Sequence, residues 1–477
     1  MVFYKAILLF LSLVSGFSCL SREPQNGNDK DGIWESIGYG RIVTIKEGEY
    51  IFADVTTFSC LPIMQGHIEE FGDALQLKND TLSLSNGINC YYFTRRVEAP
   101  LVCQKDSKEY NAAKALANNP EHNFEVLWDT FKNHYAYFEL RGVDPEKMYA
   151  EYRPKVSPKT SKAELFLILY EMLESFDDGH IGINAEKEVL KEARKIYKGQ
   201  NPEKKDVVEE SFESEEVAEM IAEKYIPNGK SLRGDNLRWG ILEQNMGYVQ
   251  INEMEGMADY DIKNTLTGDR YWKAYSKKSE NSENELAEEV KGAAKAFNQI
   301  LNDFEKVKAL IIDLRCNGGG IDEVAMEVLK NFNGEEKVVF TKKARWNNQY
   351  TPAIEVVQPA VKEPFEKPVY LLIGPESASA TEIMVLSSLS IPNIKLIGSS
   401  TEGIFSDVLE KTLPNGWSFE LSNEVYLDMQ GNNYESIGIP PDIPIDYPRD
   451  IDAYFKKLVD DLETGDLSIA KVIELVN

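Results

Sequence analysis

The sequence predicts an α/β protein whose main unit is preceded by a small antiparallel β domain and a helical segment. Three observations support this fold class. Short alternating runs, separated by Asn-Asp and Asn-Gly turns, fill residues 34–105. Apolar residues at helical spacing follow over 123–185. From Trp239 to the end, strand-like runs alternate with helix-like ones, which is the pattern of an α/β fold.

Eight segments follow from this pattern and from shifts in composition. The segment 186–236 is dense in Lys and Glu, so we expect solvated helices that form an insertion outside the core. The β domain is assigned no chemistry, and a docking or lid-like role stays open. The predicted segments are a signal peptide (1–19), a flexible tether (20–33), the small β domain (34–105), a linker (106–122), a helical subdomain (123–185), the charged insertion (186–236), the main α/β core (237–448) and C-terminal helices (449–477).

Composition restricts the possible partners. The chain has 477 residues, of which 43% are hydrophobic and 10% aromatic, which is ample for a packed core. Its formal net charge is −27, which argues against nucleic acids and anionic membrane surfaces because both would repel it. Beyond the N-terminus, no apolar run approaches the ~20 residues of a transmembrane helix.

The first residues have the features of an export signal. Lys5 precedes an apolar run from Ala6 to Val14, and small residues then lead to Cys19. This arrangement resembles a bacterial lipoprotein signal, in which the cysteine becomes the lipidated first residue, although Phe17 stands where a small residue is usual. We expect a chain exported and anchored by lipid on Cys19 to a bacterial membrane, facing the periplasm or the exterior. Plain secretion is the alternative.

Four further cysteines limit redox and metal chemistry. In an exported protein Cys60, Cys90 and Cys103 can supply one disulfide, and the sequence does not select the pair. Cys316 is expected to be a buried structural thiol rather than a nucleophile, because nothing places a base beside it. No CxxC or paired Cys/His spacing appears, so neither zinc nor another cofactor is expected.

The stretch from Gly374 to Met384 is the main candidate for a catalytic turn. A buried strand over 369–373 leads into it, and helical spacing resumes after Thr381. A strand, a tight turn of small residues and a helix expose a hydroxyl above a sheet. The same arrangement points free N–H groups of the helix start at an anion. An ordinary turn with exposed serines is the alternative interpretation.

Two other stretches supply suitable partners for such a turn. Residues 308–320 read as an aliphatic strand, a polar turn and three glycines, whose bare N–H groups can face an oxyanion. A Rossmann site is disfavoured because the motif Gly-x-Gly-x-x-Gly is absent. A Walker site is disfavoured because no lysine follows the glycines. Earlier in the chain, a helix ends at Asp177-Asp178-Gly179, which places His180 beside the core. A purely structural histidine is the alternative there.

Four motifs, in order, resemble one family. The motifs are Asp178-Gly179-His180, the run from Asp313 to Gly320, the stretch Ser377-Ala378-Ser379-Ala380-Thr381-Glu382, and the stretch from Tyr434 to Asp442. Together they resemble the serine peptidase superfamily of tail-specific (C-terminal-processing) proteases and the tricorn core, over about residues 120–450. The resemblance implies a crotonase/ClpP-like ββα-spiral peptidase core. It also implies an endopeptidase that cleaves peptides or unfolded proteins through an acyl-enzyme.

The resemblance also assigns roles to residues. Ser379 matches the nucleophile, and His180 matches the general base of the tricorn-like branch. The backbone N–H of Ala380, with one from Gly318 or Gly319, matches the oxyanion hole. Glu435 matches the carboxylate that completes the relay. Neutral histidine suits general-base work near pH 7, which is consistent with this Ser-His-Glu assignment.

The chain departs from the family pattern at three points. The tail-specific branch uses a lysine whose register falls here on Ile404, while Lys395 and Lys411 miss that position, so the histidine mechanism is preferred. The tricorn core has a serine before its histidine, where this chain has Gly179. The group that would connect His180 and Glu435 to Ser379 therefore stays undetermined. The candidates are Ser175, Ser406, Ser436 or a water. A PDZ module is not expected, because only residues 181–238 are available for it and they are highly charged.

A binding protein for an apolar ligand or partner on a retired peptidase fold is the alternative function.

Overall fold

The computed structural model describes residues 30–200, 212–263, 266–282 and 284–477. The predicted signal peptide with Cys19, most of the tether and part of the charged insertion lie outside the described residues. Within them the predicted fold class is confirmed: an antiparallel sheet comes first, helices follow, and a mixed α/β unit completes the chain. None of the described helices combines the length and apolar character needed to cross a membrane.

The N-terminal sheet has seven antiparallel strands. They are Gly32–Ser36 (β1), Arg41–Lys46 (β2), Glu49–Val55 (β3), Cys60–His67 (β4), Leu75–Lys78 (β5), Thr81–Asn86 (β6) and Asn89–Arg96 (β7). Their order across the sheet is β4-β3-β2-β1-β7-β6-β5. Alternate apolar residues such as Trp34, Phe52 and Phe93 form its core on one face. A disulfide joins Cys60 to Cys103, which selects one of the pairs that the sequence left open.

Four helices then build the helical subdomain and the segment before it. They are Lys108–Ala115 (α1), Pro120–His134 (α2), Pro145–Tyr152 (α3) and Lys162–Glu174 (α4). Helix α4 begins in a capping box, because the Ser161 side chain accepts from the Glu164 N–H and the Glu164 side chain accepts in return. Its apolar stripe packs in one cluster with that of α2 and with residues from the end of the core, including Phe419. The helix that leads toward His180 is therefore fixed to the core.

The remaining elements alternate between strands and helices. The first half consists of Gly182–Asn184 (β8), Lys187–Gln200 (α5), Ser214–Tyr225 (α6), Lys230–Leu232 (β9), Leu237–Leu242 (β10), Met246–Ile251 (β11), Gly268–Ser279 (α7), Glu285–Asp303 (α8), Leu310–Asp313 (β12) and Asp322–Lys330 (α9). The second half consists of Lys337–Trp346 (β13), Gln349–Tyr350 (β14), Ile354–Gln358 (β15), Val369–Ile373 (β16), Ala380–Ser388 (α10), Ile394–Gly398 (β17), Val408–Thr412 (β18), Ser418–Ser422 (β19), Glu424–Asp428 (β20), Ile443–Pro444 (β21), Ile451–Thr464 (α11) and Leu467–Val476 (α12).

The main sheet places the two predicted turns next to each other. Its strand order is β21-β17-β16-β12-β11-β10-β9, and the strands from β11 to β21 are parallel. Strands β12 and β16 are neighbours and every residue in them is buried, which explains their continuous apolar runs. Because parallel strands end at the same edge of a sheet, the glycine run after β12 lies beside the serine turn after β16.

Helix α6 differs from the sequence-based expectation. Residues 186–236 were expected to lie outside the core, but Val217, Ala218 and Ile221 of α6 are fully buried in a cluster with the main sheet and α11. The expectation is wrong for this helix, because a short apolar stripe suffices to bury one face of a highly charged sequence. In the described residues between β8 and β10, two helices and the short β9 provide no sheet of PDZ type.

A buried ion triad fastens the C-terminal helices to the core. Arg315 is fully buried and forms a two-point pair with Asp313, at 2.9 and 2.6 Å. Its Nη1 lies 2.7 Å from Asp466, whose carboxylate also caps the start of α12. The triad thus joins the end of β12 to the last helix.

We expect Arg315→Met to lower the free energy of unfolding by about 3–5 kcal/mol, because two buried carboxylates would lose their cation. Urea denaturation followed by circular dichroism measures this loss. The matched control is Lys456→Met, which removes an exposed pair with Asp460 and should change stability by less than about 1 kcal/mol. Equal effects of the two substitutions would contradict the role of the triad.

Candidate active site

Ser379 stands at the turn between β16 and α10. It is the residue before the first turn of α10, and its backbone has φ 52° and ψ −123°. A non-glycine residue in this region is strained, and such strain commonly marks functional sites. Ser377, the other serine of the turn, is fully buried: its hydroxyl accepts from the Gly374 N–H and donates to the Leu314 carbonyl. Ser379 is the partly exposed serine of the two.

The glycine run lies against Ser379. Gly319 has φ 119°, and a Cβ placed there would lie 2.7 Å from the Ser379 Cβ and 3.2 Å from the Ala380 nitrogen. No side chain fits at this position. The predicted proximity of the glycine run and the serine turn is therefore present in the structure.

Asn317, to which no role was assigned from the sequence, fixes this arrangement. Its Oδ1 accepts from the Gly319 N–H at 3.0 Å and from the Thr381 hydroxyl at 2.6 Å. Its Nδ2 donates to the Ile251 carbonyl at 3.0 Å. The amide thus connects the glycine run to both α10 and β11. The sequence feature that could have indicated this role is the polar residue directly before the three glycines.

Two backbone donors near Ser379 are free. Among the described residues, the N–H groups of Gly318 and Ala380 have no acceptor, whereas the Gly319 N–H donates to Asn317. Of the two glycines that the sequence left open, Gly318 has the unoccupied donor. Free N–H groups beside a nucleophile are what an oxyanion hole requires.

Glu382 anchors the loop behind the nucleophile. Its buried carboxylate accepts from the Thr401 hydroxyl at 2.5 Å and from the N–H groups of Gly403 and Ile404 at 2.8 Å each. Burial raises the pKa of Glu382 to about 8, and the hydrogen bond from Thr401 is the largest effect that opposes this rise. Glu382 lies within the serine motif, but nothing in that motif predicts this anchoring function.

His180 lies in a tight turn between α4 and β8. Its backbone N–H donates to Asp178 at 3.0 Å, and the same carboxylate accepts from the hydroxyls of Tyr135 and Ser422. Strand β8 pairs with β19, so the histidine turn is hydrogen-bonded to the core on two sides. The Asp-Asp-Gly sequence before His180 was the signal for this turn.

The surroundings of His180 favour the neutral imidazole. Burial lowers the pKa of His180, while the carboxylates of Asp178 and Asp407 and the Ser406 carbonyl oppose the shift, and Arg141 adds to it. Its Nδ1 is buried and has no hydrogen-bond partner among the described residues. A neutral ring with an unoccupied nitrogen is able to accept a proton.

The lysines considered as alternative bases are Lys411 and Lys395, and neither stands at the register of the family lysine. Ile404, at the register of the family lysine, lies beside the histidine turn: a Cβ on Gly179 would be 3.3 Å from its Cδ1. Lys411 is buried, and its Nζ donates to Asp54 at 2.5 Å and to the Tyr39 carbonyl at 2.7 Å, both in the β domain. Lys395 is exposed on β17. The contacts of Lys411 disfavour it as a base, and Lys395 misses the register of the family lysine.

Glu435 is held by groups other than His180. Its carboxylate accepts from the Arg141 guanidinium at 2.8 Å and from the Phe405 N–H at 3.0 Å. Burial raises the pKa of Glu435 to about 7, and the contacts with Phe405 and Arg141 oppose this rise. The hydrogen bonds of the described residues include none between Glu435 and His180. Arg141 gave no recognisable signal in the sequence.

A cleft of about 260 Å³ opens at Ser379. Gly320, Ser406 and Asp407 contribute to its wall, and so do Asn86 and Asn89 from the β domain. The loop that carries Ser406 and Asp407 also borders His180. Ser379, the end of the glycine run and His180 thus all lie near one loop of the core.

A strained serine at a strand–helix turn, set against a glycine run, defines a site of the serine peptidase class. Comparison of the chain with known protein families supports this class. Residues 245–445 match Peptidase family S41, and residues 116–174 match the Tricorn protease C1 domain. Residues 245–445 thus resemble this peptidase family, which confirms the resemblance that the four motifs indicated.

Curated relatives agree with this family, and a solved structure agrees with the fold. A carboxy-terminal-processing protease of Bartonella bacilliformis is 28% identical over 144 residues, which are 30% of this chain and 32% of the relative. The carboxy-terminal processing protease CtpA of Bacillus subtilis is 26% identical over 238 residues, or 46% of this chain and 48% of the relative. The matched segments thus span less than half the length of these relatives. A solved structure from Parabacteroides merdae, provisionally assigned as a peptidase, has a TM-score of 0.54 at 21% identity, covers 75% of this chain and 96% of its own, and supports the fold.

Proposed function

We propose that the chain is a serine endopeptidase that hydrolyses peptides or unfolded proteins, with Ser379 as its nucleophile. The observation that carries the proposal is the backbone of the serine turn. Ser379 is held at φ 52° between a buried strand and a helix, and the N–H groups of the next residue, Ala380, and of Gly318 in the glycine run are free among the described residues. Nothing in packing alone requires a strained serine there.

The proposed reaction passes through an acyl-enzyme. His180 removes the hydroxyl proton of Ser379 as the oxygen attacks the peptide carbonyl, and the oxyanion is bound by the N–H groups of Gly318 and Ala380. The imidazolium then donates that proton to the leaving amine, which leaves an ester on Ser379. A water molecule, deprotonated by His180, hydrolyses the ester and restores the free serine.

We assign Glu435 a positioning role within this site. Through Phe405 and Arg141 it fixes the loop that borders His180, while Glu382 fixes the preceding part of the same loop. Two buried carboxylates thereby determine where the base stands relative to the nucleophile. This positioning role differs from the direct relay that the resemblance implied, because no hydrogen bond joins Glu435 to the imidazole among the described residues.

We also propose that the protein acts in the cell envelope. The apolar run before Cys19 supports export, and the cysteine position supports a lipid anchor, although these residues lie outside the described part of the chain. The disulfide between Cys60 and Cys103 is consistent with an oxidising compartment. Peptide or protein is the proposed substrate, and no nucleic acid partner is proposed.

Labelling with a fluorophosphonate probe tests the proposed nucleophile. We expect the wild-type protein to be labelled and Ser379→Ala to remain unlabelled, because the probe forms a bond only with an activated serine. Ser377→Ala is a less suitable control, since Ser377 holds the turn through two buried hydrogen bonds. Ser388→Ala, at the far end of α10, should be labelled like the wild type.

Equal labelling of wild type and Ser379→Ala would refute the assignment. Absence of labelling in the wild type, together with an apolar ligand that stays bound through purification, would instead favour a binding protein on the same fold. Identification of the labelled peptide by mass spectrometry separates these outcomes from labelling at another serine.

A further inference from the structure

The β domain reaches the catalytic cleft through the tip of one hairpin. The turn between β6 and β7 is Gly87-Ile88, and Ile88 is buried in the main hydrophobic cluster of the core. The Ile88 N–H donates to Glu323 at 2.9 Å, and Gly87 lies so close to Glu323 that it has no room for a Cβ. The residues on both sides of this turn, Asn86 and Asn89, therefore stand in the wall of the cleft that opens at Ser379.

A second cleft continues from the first. It has a volume of about 220 Å³ and shares Asn86, Asn89, Asp407 and Val408 with the cleft at Ser379. The side chain of Asn89 donates to Asp407 at 3.1 Å, so the hairpin tip is bonded to the core at the junction. Together the two clefts form a groove, which we call the junction groove. It runs from Ser379 between the β domain and the core.

One wall of the junction groove is the edge strand β18. In its sheet, the order is β18-β19-β8, so β18 pairs on one side only. Val408, Leu409 and Glu410 of this strand all line the second cleft. An unpaired strand edge beside a groove is the surface on which extended peptides add as a further strand.

The register of β18 shows which backbone groups face the groove. The Leu413 N–H donates to the Trp417 carbonyl, so by alternation Leu409 and Lys411 bond to β19. Val408 and Glu410 consequently point their backbone groups outward. This is consistent with the Glu410 carbonyl, which accepts from Arg41 of the β domain at 3.4 Å.

Two of these outward groups are free, and their spacing indicates a direction. The Val408 N–H is taken by Asp407 and the Glu410 carbonyl by Arg41. Within the described chain, the Val408 carbonyl and the Glu410 N–H have no partner. A residue of a parallel strand bonds to the two residues that flank its neighbour, donating to the first and accepting from the second. The free pair therefore fits a strand that runs parallel to β18.

We propose that the junction groove binds the part of the substrate C-terminal to the scissile bond, as a strand parallel to β18. Strand β18 leads away from Ser379, since Val408 borders both clefts and Glu410 only the second. A parallel peptide thus has its N-terminal end at Ser379 and extends past Glu410 between core and β domain. The inference rests on the proposed function of Ser379 and gives the β domain a part in substrate binding.

Hydrogen exchange detects occupancy of the groove. The probe is β-casein, an unfolded protein, added at saturation to full-length Ser379→Ala so that it is bound and not cleaved. We expect slower amide exchange in β18, with the largest effect at the Glu410 N–H, because that group gains an acceptor. Unchanged exchange in β18 would overturn the proposal, whatever happens elsewhere in the protein.

Acyl transfer tests the direction of the bound strand. p-Nitrophenyl acetate forms an ester on Ser379 with release of p-nitrophenolate, and the amine of added pentaalanine then attacks this ester. The acetyl–nitrogen bond forms, the bond to Ser379 breaks, and the amine proton returns to the serine through His180. The measured quantity is the ratio of acetyl transfer to hydrolysis. We expect this ratio to be higher with pentaalanine as the acceptor amine than with alanine amide at equal concentration.

A proline pair makes the test specific to β18. Glu410→Pro removes the free N–H at an edge where proline is tolerated, and we expect the ratio of transfer to hydrolysis to fall roughly 5- to 10-fold. Thr412→Pro is the matched control on the same edge, outside both clefts, and should keep the wild-type ratio. Equal ratios for wild type and Glu410→Pro would overturn the inference. Failure of the proposed function is distinct, since wild type would then release no more p-nitrophenolate than Ser379→Ala.

Discussion

Replacement of His180 by alanine is expected to lower kcat for peptide hydrolysis by roughly 10⁴- to 10⁶-fold. The serine hydroxyl is a poor nucleophile without a base, and the histidine turn supplies an imidazole that borders the loop of the cleft at Ser379. Steady-state cleavage of fluorescein-labelled casein measures the loss. Binding of casein to the variant should persist, because His180 acts on the proton and not on the peptide backbone.

The pH profile of the wild type adds a second readout to the same prediction. The base must be neutral, and burial lowers the pKa of His180 below its ordinary value of about 6.5. Activity is therefore lost only as the pH falls through this lowered pKa, so the acid limb of kcat/KM should lie below that of an exposed histidine. The carboxylates of Asp178 and Asp407 oppose the shift and Arg141 adds to it, so these groups set how far the limb moves.

His67→Ala is the control for the histidine prediction. His67 ends β4 on the surface of the β domain and is exposed, so its removal should leave both kcat and the acid limb unchanged. Retention of wild-type kcat in His180→Ala would contradict the assignment of the base. Loss of activity in Lys395→Ala or Lys411→Ala, with His180→Ala active, would favour a lysine base instead.

Replacement of Gly319 by alanine is expected to reduce kcat/KM by at least about 100-fold, since even a displacement of ~1 Å at a catalytic group has an effect of this size. The new Cβ would stand 2.7 Å from the Ser379 Cβ and 3.0 Å from the Ala378 carbonyl oxygen. Either the glycine run or the serine turn must move, and both carry proposed catalytic groups. At φ 119° the alanine also strains the backbone, so the free energy of unfolding should fall by about 1–3 kcal/mol.

Gly416→Ala separates the two causes of that loss. Gly416 also has a positive φ, of 91°, but a Cβ placed there meets nothing within 4 Å. We expect this control to lose stability in urea denaturation while its rate of casein cleavage stays near that of wild type. If both alanine variants lost the same fraction of activity, proximity of Gly319 to the nucleophile would not explain the effect.

The alternation of strands and helices was predictable because hydrophobic period and turn residues are local properties of the sequence. The continuous apolar runs of β12 and β16 indicated buried strands, and the structure shows them to be parallel neighbours. The proximity of the glycine run and the serine turn was accessible before any coordinates.

The contacts that complete the site were not accessible in this way, because they join residues far apart in the chain. Arg141 donates a hydrogen bond to Glu435, which lies 294 positions further along the chain. Glu382 accepts a hydrogen bond from the loop at Gly403, about 20 residues after it. No periodicity records such pairs. The buried face of α6 was missed for a related reason, since whether a short apolar stripe is covered depends on the surface that the rest of the fold presents to it.

The burial of Ile88 in the core has a consequence for how the molecule unfolds. If the β domain separated from the core, an isoleucine and the surface beneath it would meet water, and Glu323 would lose its backbone donor. At about 25 cal/mol per Å² of apolar surface, such an opening opposes independent motion of the two parts. We therefore expect heat or urea to melt the β domain and the core in one transition, although the sequence suggests a boundary near residue 106.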